Sequence, residues 1–199
     1  SYGYDAMGHL VSTTDPLGNT AYSYYNESGQ LIAKTGVSAK ITRSATTYSY
    51  DALGQLVESR QWASGVNATN ADHFSLNSAS SDDIVTHDGY DIDGHLAWQT
   101  DGTGHTTYYS YDANGNMARC WQVLTQADNS SVTQDKRYVY DNENRLTQSA
   151  TLKANGQIAT DDAKYNAFGE ITAKGFNGVL STKIDYDSVG RVWRSNMQG

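Results

Sequence analysis

Acidic side chains are the first candidates for chemistry in this sequence. Six aspartates recur in one local context, each directly after a tyrosine: Asp5, Asp51, Asp91, Asp112, Asp141 and Asp187. Paired carboxylates can support aspartyl proteolysis or glycoside cleavage. A carboxylate that recurs with a turn already has a structural role, because its oxygens can accept hydrogen bonds from the turn backbone. We therefore expect turn caps and predict no catalytic residue.

The segment 88–94, Asp-Gly-Tyr-Asp-Ile-Asp-Gly, is similar in composition to a calcium-binding loop. Counted as an EF-hand loop from position 89, it has Gly in place of the first Asp and Thr100 in place of the bidentate Glu. A turn of the repeated type needs only Asp91 and Gly94. The sequence therefore predicts no calcium site, no other metal and no cofactor.

Five histidines and one cysteine complete the set of candidate ligands and nucleophiles. His9 and His95 occupy the same place after a glycine, and the sequence contains no His-x-x-x-His or Cys/His pair that could hold zinc. Cys120 has no base beside it that would activate the thiol. We predict solvent-facing strand histidines, a strand thiol and no enzyme activity.

An eightfold repeat of Tyr-Asp-x-x-Gly-x-aliphatic unites most of these residues. Its second position is Asp six times and Asn twice, and its fifth is Gly seven times and Asn once. Asp and Asn cap turns, while Gly and Asn tolerate positive φ, so a structural role is predicted. The repeat residues are Tyr4, Asp5, Gly8, Leu10, Tyr25, Gly29, Leu31, Tyr50, Asp51, Gly54, Leu56, Tyr90, Asp91, Gly94, Leu96, Tyr111, Asp112, Gly115, Met117, Tyr140, Asp141, Leu146, Tyr165, Gly169, Ile171, Tyr186, Asp187, Gly190 and Val192.

Each Asp-x-x-Gly lies between runs rich in Tyr, Thr, Val and Ile. This pattern predicts a three-residue hairpin loop, a type I turn followed by a left-handed Gly. In the first repeat, Asp5 then lies opposite His9, and Tyr4 lies opposite Leu10. Repetition of the Tyr/aliphatic pair would build a continuous ridge along one face of a sheet.

The fold class that follows is all-β, a long twisted antiparallel sheet of hairpins. Two strands per repeat predict about sixteen strands and no helix longer than about two turns. Second turns are predicted at 15–18, 101–104, 128–131, 155–156 and 177–178. We assign residues 1–199 to one array of eight repeats, with a polar insertion at about 61–87, where periodicity is weak.

Charge and hydropathy exclude several partners. The net charge of −8 argues against nucleic acid or an anionic membrane, because either would favour a basic face. No apolar run is long enough for a membrane span or a signal peptide. Neither end carries a capping element, so we expect a piece of a longer array whose sheet edges could self-associate.

The copies at 50–56, Tyr-Asp-Ala-Leu-Gly-Gln-Leu, and 111–117, Tyr-Asp-Ala-Asn-Gly-Asn-Met, closely resemble the YD repeats of the Rhs family. That family includes bacterial polymorphic toxins, shell-forming C/B-type subunits of insecticidal toxin complexes and the animal teneurins. The resemblance covers the chain apart from about 60–87. The family's shell-ending core is absent, and Asp15-Pro-Leu-Gly18 is interpreted as a second turn, although it is superficially similar to the Asp-Pro-x-Gly autoproteolysis region.

The resemblance implies a segment of a hollow β-shell in a secreted or cell-surface bacterial protein. Its implied partners are the rest of the same shell or a partner shell subunit, and an enclosed toxin effector.

Aromatic side chains support an alternative function. Tyr and Trp on a sheet surface can stack on sugar rings, so a carbohydrate or cell-surface binding module of an adhesive protein stays open. Trp98 and Trp121 are the candidate glycan-stacking residues. Strict alternation places them, with Trp62, on the face of the Tyr/aliphatic ridge and leaves Trp193 as the exception.

Overall fold

The computed structural model describes residues 1–38, 40–126, 129–153 and 155–196. All regular secondary structure in these residues consists of β-strands, which confirms the all-β prediction. The chain divides into two compact units, residues 1–90 with 99–104, and residues 91–98 with 105–199. Seventeen strands are described, with β9 (Leu96–Thr100) shared between the units.

The first unit contains eight complete strands. They are β1 (Tyr2–Tyr4), β2 (Leu10–Thr14), β3 (Thr20–Tyr25), β4 (Leu31–Thr35), β5 (Thr42–Tyr50), β6 (Leu56–Ala68), β7 (Phe74–Leu76) and β8 (Ile84–Tyr90). From β1 to β7 each strand pairs antiparallel with the next, and β6 also pairs with β8.

The second unit is a simple meander. Its strands are β10 (Thr106–Tyr111), β11 (Met117–Thr125), β12 (Ser131–Tyr140), β13 (Leu146–Leu152), β14 (Ile158–Tyr165), β15 (Ile171–Phe176), β16 (Val179–Tyr186) and β17 (Val192–Ser195). Each pairs antiparallel with its successor.

The eight motif turns share one backbone geometry. In the first, the Asp5 N–H donates to the His9 carbonyl at 3.0 Å, and the Gly8 N–H donates to the Asp5 carbonyl at 3.1 Å. The same two bonds recur in the other seven turns. The fifth motif residue always has positive φ, from 61° at Asn144 to 87° at Gly8. Tyr4 pairs with Leu10, as the predicted register requires.

The second turns are tight as well. At 15–18, the Gly18 N–H donates to the Asp15 carbonyl at 3.1 Å, so this Asp-Pro-Leu-Gly segment is a turn. Positive φ at Gly104, Gly156 and Gly178 marks three of the other predicted sites. The prediction at 128–131 begins at Asp128, which lies outside the described residues.

A β-bulge follows the closing aliphatic residue in seven hairpins. In β11, Met117 pairs with Tyr111, but the next pairing joins Arg119 to Ser110, so Ala118 is an extra residue. An extra residue reverses the alternation beyond it. Side chains at even offsets beyond the closing residue, which strict alternation would place with the motif tyrosine, therefore lie on the opposite face.

The insertion is more regular than its sequence indicates. β6 continues to Ala68, and β7 folds back on it, with Val66 opposite Leu76 and Ala68 opposite Phe74. The hairpin contributes to the most buried cluster of the first unit, in which Tyr24, Ala33 and Ala68 are buried and Phe74 packs against them.

Hydrogen bonds from polar side chains fix the backbone of the insertion. The Tyr24 hydroxyl donates to the Asn70 carbonyl at 2.7 Å. The buried Arg43 guanidinium donates to the carbonyls of Ala68 at 3.1 Å and Ser38 at 2.6 Å. At the far end, the Asp83 carboxylate accepts the Ala63 N–H at 2.9 Å. Buried polar groups in this unit are thus paired with backbone partners, as burial demands.

Candidate functional site

The second residue of each motif caps its own turn. One side-chain oxygen accepts the backbone N–H groups two and four residues later. For Asp51 these donors are Leu53 at 2.9 Å and Gln55 at 2.8 Å. Asn26 does the same with Ser28 and Gln30, since its amide oxygen replaces the carboxylate oxygen. Two otherwise unpaired donors are satisfied at every turn, which explains why only Asp and Asn occur here.

The side-chain atom of the second residue that does not cap the turn contacts the side chain of the sixth residue. In five turns whose second residue is Asp, the sixth residue places a nitrogen beside the carboxylate oxygen that does not cap the turn. The pairs are Asp5–His9 at 2.8 Å, Asp91–His95 at 3.2 Å, Asp112–Asn116 at 3.0 Å, Asp141–Arg145 at 2.7 Å and Asp187–Arg191 at 2.8 Å. These contacts fix the side chain that projects from the turn.

The Asn turns reverse this polarity. The Asn26 amide donates to the Gln30 side-chain oxygen at 2.8 Å, and the Asn166 amide donates to the Glu170 carboxylate at 2.6 Å. Donor and acceptor have exchanged places, so positions two and six are complementary in each of these turns. Sequence reasoning treated the sixth position as variable and missed this rule. Part of the signal was in the sequence, because the single Glu at position six, Glu170, belongs to a turn whose second residue is Asn166.

These bonds favour the ionised carboxylates. The pKa of Asp112 is lowered, chiefly by the Asn116 amide that donates to it. The pKa of Asp141 and that of Asp187 are lowered first by the backbone N–H groups of Arg145 and Arg191. At Asp5 desolvation opposes the change, but bonds from His9 and Met7 still lower the pKa. A lowered carboxylate pKa here reflects turn capping.

The motif tyrosines join successive repeats. From the second repeat to the eighth, each hydroxyl donates to the carbonyl of the closing aliphatic residue in the repeat before, at 2.8 to 3.2 Å. The pairs are Tyr25–Leu10, Tyr50–Leu31, Tyr90–Leu56, Tyr111–Leu96, Tyr140–Met117, Tyr165–Leu146 and Tyr186–Ile171. Phe could form the apolar ridge but not this bond, so the hydroxyl accounts for Tyr in these seven copies.

Burial acts on these hydroxyls as well. It raises the pKa of Tyr50, Tyr90 and Tyr111 above the ordinary value. A raised pKa keeps the phenol protonated, and only the protonated form donates a hydrogen bond.

The sixth residue also reaches the next repeat. His9 stacks on Tyr25 with ring centroids 4.6 Å apart, and His95 stacks on Tyr111 at 4.5 Å. The Arg145 guanidinium lies 4.9 Å from the centre of the Tyr165 ring. His9 and His95 were expected to face solvent. They are half-buried instead, because each imidazole lies between the aspartate of its own turn and the tyrosine of the next repeat.

One group of side chains in the described part of the chain has metal-ligand spacing. The ligand atoms of Asp91, Asp93 and His95 all lie within 4.8 Å of one another. Two of these residues already serve the turn, since Asp91 caps it and His95 contacts Asp91. The first repeat has the same Asp–His contact with Met7 in place of Asp93, so the geometry needs no metal.

Trp121 and Trp62 do not lie on the sheet face that strict alternation predicts. Trp121 pairs with Tyr108 and Trp62 pairs with Ala45, residues an odd number of positions before Tyr111 and Tyr50. Both indoles therefore lie on the face opposite the motif tyrosines, because the bulge reverses the alternation.

Glycan stacking at Trp98 and Trp121 stays a prediction. The Trp121 ring already stacks on Tyr108 at 5.4 Å and lies 4.4 Å from the Arg119 guanidinium carbon. Arg119 and Arg137 both hold the buried Asp135 carboxylate. On the opposite strand face, Cys120 is half-buried beside Tyr138.

The geometry defines an all-β array of Tyr-Asp hairpins. A family model described as RHS Repeat matches residues 25–66, which include the second and third motifs. The chain is 27% identical over 177 residues to "Double-stranded DNA deaminase toxin A" of Burkholderia cenocepacia, an alignment that covers 87% of this chain and 9% of the relative. The chain thus spans a small part of the length of that toxin. The predicted resemblance to the Rhs/YD-repeat family is confirmed.

Solved structures that the chain matches include the crystal structure of TcdB2-TccC3-Cdc42, with a TM-score of 0.38, 13% identity and coverage of 96% of this chain and 12% of that one. TcdB2-TccC3 without its hypervariable C-terminal region gives a TM-score of 0.38, 14% identity and the same coverage. No helix capable of crossing a membrane is found in the described residues.

Proposed function

We propose that this chain is a wall segment of an Rhs/YD-repeat shell that encloses a toxin effector in a secreted bacterial protein. The observation that carries the proposal is the tyrosine junction. Seven successive hydroxyl-to-carbonyl bonds join repeat to repeat within the two units, so the most constant residue acts in assembly of the wall.

The repeated polar groups support a structural role. Carboxylates that could act as acids or bases are used by backbone N–H groups and by the sixth residue of the same turn. A catalytic pair needs side chains that face a substrate and differ in protonation. The motif carboxylates instead share one turn geometry, with one oxygen bonded to the backbone N–H groups two and four residues later, so we assign no enzyme activity to this segment.

A wall segment of this kind needs neighbouring wall and an enclosed effector as partners. We propose that the wall continues through further repeats or a partner shell subunit, and that one face of the sheet meets the effector. Self-association through sheet edges is a consequence, because an edge strand carries unpaired backbone groups that another strand can bind. The matched relative is named as a toxin, which supports export from a bacterial cell.

Protease protection tests the shell proposal in the gene product that contains this chain. The test variant carries Tyr111→Phe, Tyr140→Phe, Tyr165→Phe and Tyr186→Phe, which remove four junction hydroxyls but keep the rings. An enclosed effector should resist a protease in the parent and be cut faster in the variant. Tyr2→Phe is the matched control, since this exposed ring lies outside the motif junctions. An effector that is cut equally fast in parent and variant, as fast as the free effector, would contradict enclosure.

A further inference from the structure

Three Asn-Gly dipeptides occur in the sequence, at 114–115, 155–156 and 177–178. In such a pair the glycine amide nitrogen can attack the side-chain carbonyl carbon of asparagine, because glycine carries no side chain that blocks the approach. The attack closes a succinimide ring and releases ammonia. Hydrolysis of the ring then leaves aspartate or isoaspartate. The groups around the reacting atoms set the rate of the first step.

The reacting atoms of Asn177 and Gly178 have two neighbours that could assist this step. The pair forms the exposed two-residue turn between β15 and β16. The Gly178 N–H donates to a carboxylate oxygen of Asp162 at 2.9 Å. The Asn177 side-chain oxygen accepts the backbone N–H of Thr160 at 3.0 Å. A carboxylate therefore lies on the nitrogen that must lose its proton, and a hydrogen-bond donor lies on the oxygen that becomes negative.

Hydrogen bonds hold the Asp162 carboxylate in its orientation and in its ionised form. The Gln148 amide donates to one oxygen at 2.7 Å, and the Thr160 hydroxyl donates to the other at 3.0 Å. Donation from Gln148, and then from the Gly178 N–H, lowers the pKa of Asp162. The carboxylate is therefore charged, and able to accept a proton, throughout the neutral and mildly acidic range.

Water reaches this turn from a groove of about 520 Å³ that Asp162 and Gly178 line. The other charged side chains along the groove are Asp141, Arg145 and Lys164. The Arg145 guanidinium donates to the Asp141 carboxylate at 2.7 Å. The groove thus supplies the water that opens a succinimide ring.

In the other two Asn-Gly pairs a backbone carbonyl uses the glycine N–H. The Gly115 N–H donates to the Asp112 carbonyl at 3.0 Å, and the Gly156 N–H donates to the Lys153 carbonyl at 2.9 Å. A neutral carbonyl oxygen is far too weak a base to take the amide proton. The chain therefore contains its own comparison, with the same dipeptide beside a carboxylate in one place and beside a carbonyl in two.

We propose that the turn at 177–178 is a self-modification site, at which Asp162 acts as general base and the Thr160 N–H stabilises the oxyanion. The Gly178 nitrogen bonds to the side-chain carbonyl carbon of Asn177 while its proton passes to Asp162. The bond from that carbon to the side-chain nitrogen then breaks, and the proton returns from Asp162 to the departing ammonia. Water hydrolyses the succinimide to aspartate or isoaspartate. Each chain reacts once, without turnover, and the reaction does not depend on the enclosure of an effector.

The product weakens the hairpin that contains it. Isoaspartate adds one carbon to the backbone of a two-residue turn, so the pairing of Phe176 with Val179 loses its register. The new carboxylate also lies beside Asp162, and like charges at close range repel. We therefore expect the pairing of β15 with β16 to open more readily as the chain ages.

Peptide mapping by mass spectrometry measures the reaction in the folded 199-residue chain. At neutral pH, Asn177 should convert at least about tenfold faster than Asn114 and Asn155. Asp162→Asn should slow the conversion of Asn177 by at least about tenfold and leave the other two rates unchanged. Asp161→Asn is the matched control, because it removes the same charge from the adjacent position on the opposite face of β14. This control should react like the parent.

The pH dependence of the parent chain is a second test, and it needs no variant. Without a general base the attack depends on hydroxide, so the rates at Asn114 and Asn155 should fall about tenfold for each pH unit below neutrality. Asn177 should keep most of its rate down to about pH 5, because Asp162 stays ionised there.

Three results would overturn the proposal. They are a rate at Asn177 that is no faster than at Asn114 and Asn155, a rate that Asp162→Asn leaves unchanged, and a pH slope at Asn177 equal to that of the other two sites. A slower reaction at Asn177 would mean that the same hydrogen bonds protect the turn. None of these outcomes bears on effector protection.

Discussion

The motif turns and the insertion of the first unit are stabilised in different ways. Each turn is held by short hydrogen bonds that stay within one repeat or reach only the next, with little buried apolar surface. The insertion instead contributes to a packed cluster in which Ala33 and Ala68 are almost completely buried. A change in a turn should therefore have a small, local effect, and a change in the cluster should destabilise the whole first unit.

The largest effect is expected at Tyr24. Its ring is 5% exposed and contacts Phe74 with centroids 4.5 Å apart, and burial raises its pKa to about 12. Tyr24→Ala should lower the free energy of unfolding of the first unit by about 3–5 kcal/mol, because it removes a large side chain from a packed cluster. Urea unfolding measures this loss. The exposed Tyr2→Ala is the control, and an equal loss there would mean that the cluster contributes no special stability.

Backbone strain at a motif turn should have the next largest effect. Gly169 has a φ of 83°, and an added Cβ would meet no atom within 4 Å. Gly169→Val should therefore cost about 1–2 kcal/mol through conformation alone, whereas Gly169→Asn should cost less. Asn144 already occupies the same position at a φ of 61°. Equal denaturation midpoints for the Val and Asn variants would refute the left-handed requirement.

A smaller effect tests the complementarity of positions two and six. Asn166→Asp replaces the amide that donates to Glu170 with a second carboxylate, so two acceptors would face each other. The expected loss is about 1 kcal/mol. The double variant with Glu170→Arg would recreate the Asp141–Arg145 pairing and should recover most of it. A double-mutant cycle with no coupling between the two sites would show that the sixth position is free.

Removal of a single junction hydroxyl should cost about 0.5–1.5 kcal/mol, the usual net value of one hydrogen bond. Tyr50→Phe tests this, because its hydroxyl donates to the Leu31 carbonyl at 2.8 Å. Tyr2→Phe serves as the control in the same urea titration. If both changes have the same small effect, the tyrosine ring and not its hydroxyl explains the motif.

Sequence predicted the turns well because their causes are local. The Asp cap, the left-handed fifth residue and the Tyr4–Leu10 register all follow from residue type within one hairpin. The junctions were missed because the Tyr50 hydroxyl reaches a residue of the previous repeat, and one motif read alone does not show its neighbour.

The errors have physical causes as well. One extra residue, such as Ala118, moves the later side chains of β11 to the other face of the sheet. No residue type in the sequence predicted that bulge. The cluster around Tyr24 depends on an insertion that returns from more than forty positions away, a contact that periodicity cannot predict. The assignment of residues 1–199 to one array of eight repeats stays a prediction.

Acid should weaken the turns, and Asp112 offers the cleanest measurement. Its pKa is lowered chiefly by the Asn116 amide. A carboxylate with a depressed pKa in the folded state contributes stability above its unfolded pKa of about 3.9, and that contribution is lost as pH falls through the lower, folded value. Titration of the Asp112 side-chain carboxyl by NMR should give a value below the ordinary one.

The Asn116→Ala variant separates the causes of that shift. It removes the side-chain donor but leaves the backbone N–H groups of residues 114 and 116 on the carboxylate. The Asp112 pKa should therefore rise toward its ordinary value without reaching it, and the loss of unfolding free energy in acid should become smaller and be complete at a higher pH. An unchanged pKa would show that the backbone bonds alone hold the carboxylate, and the sixth residue would then matter only through its contacts with the next repeat.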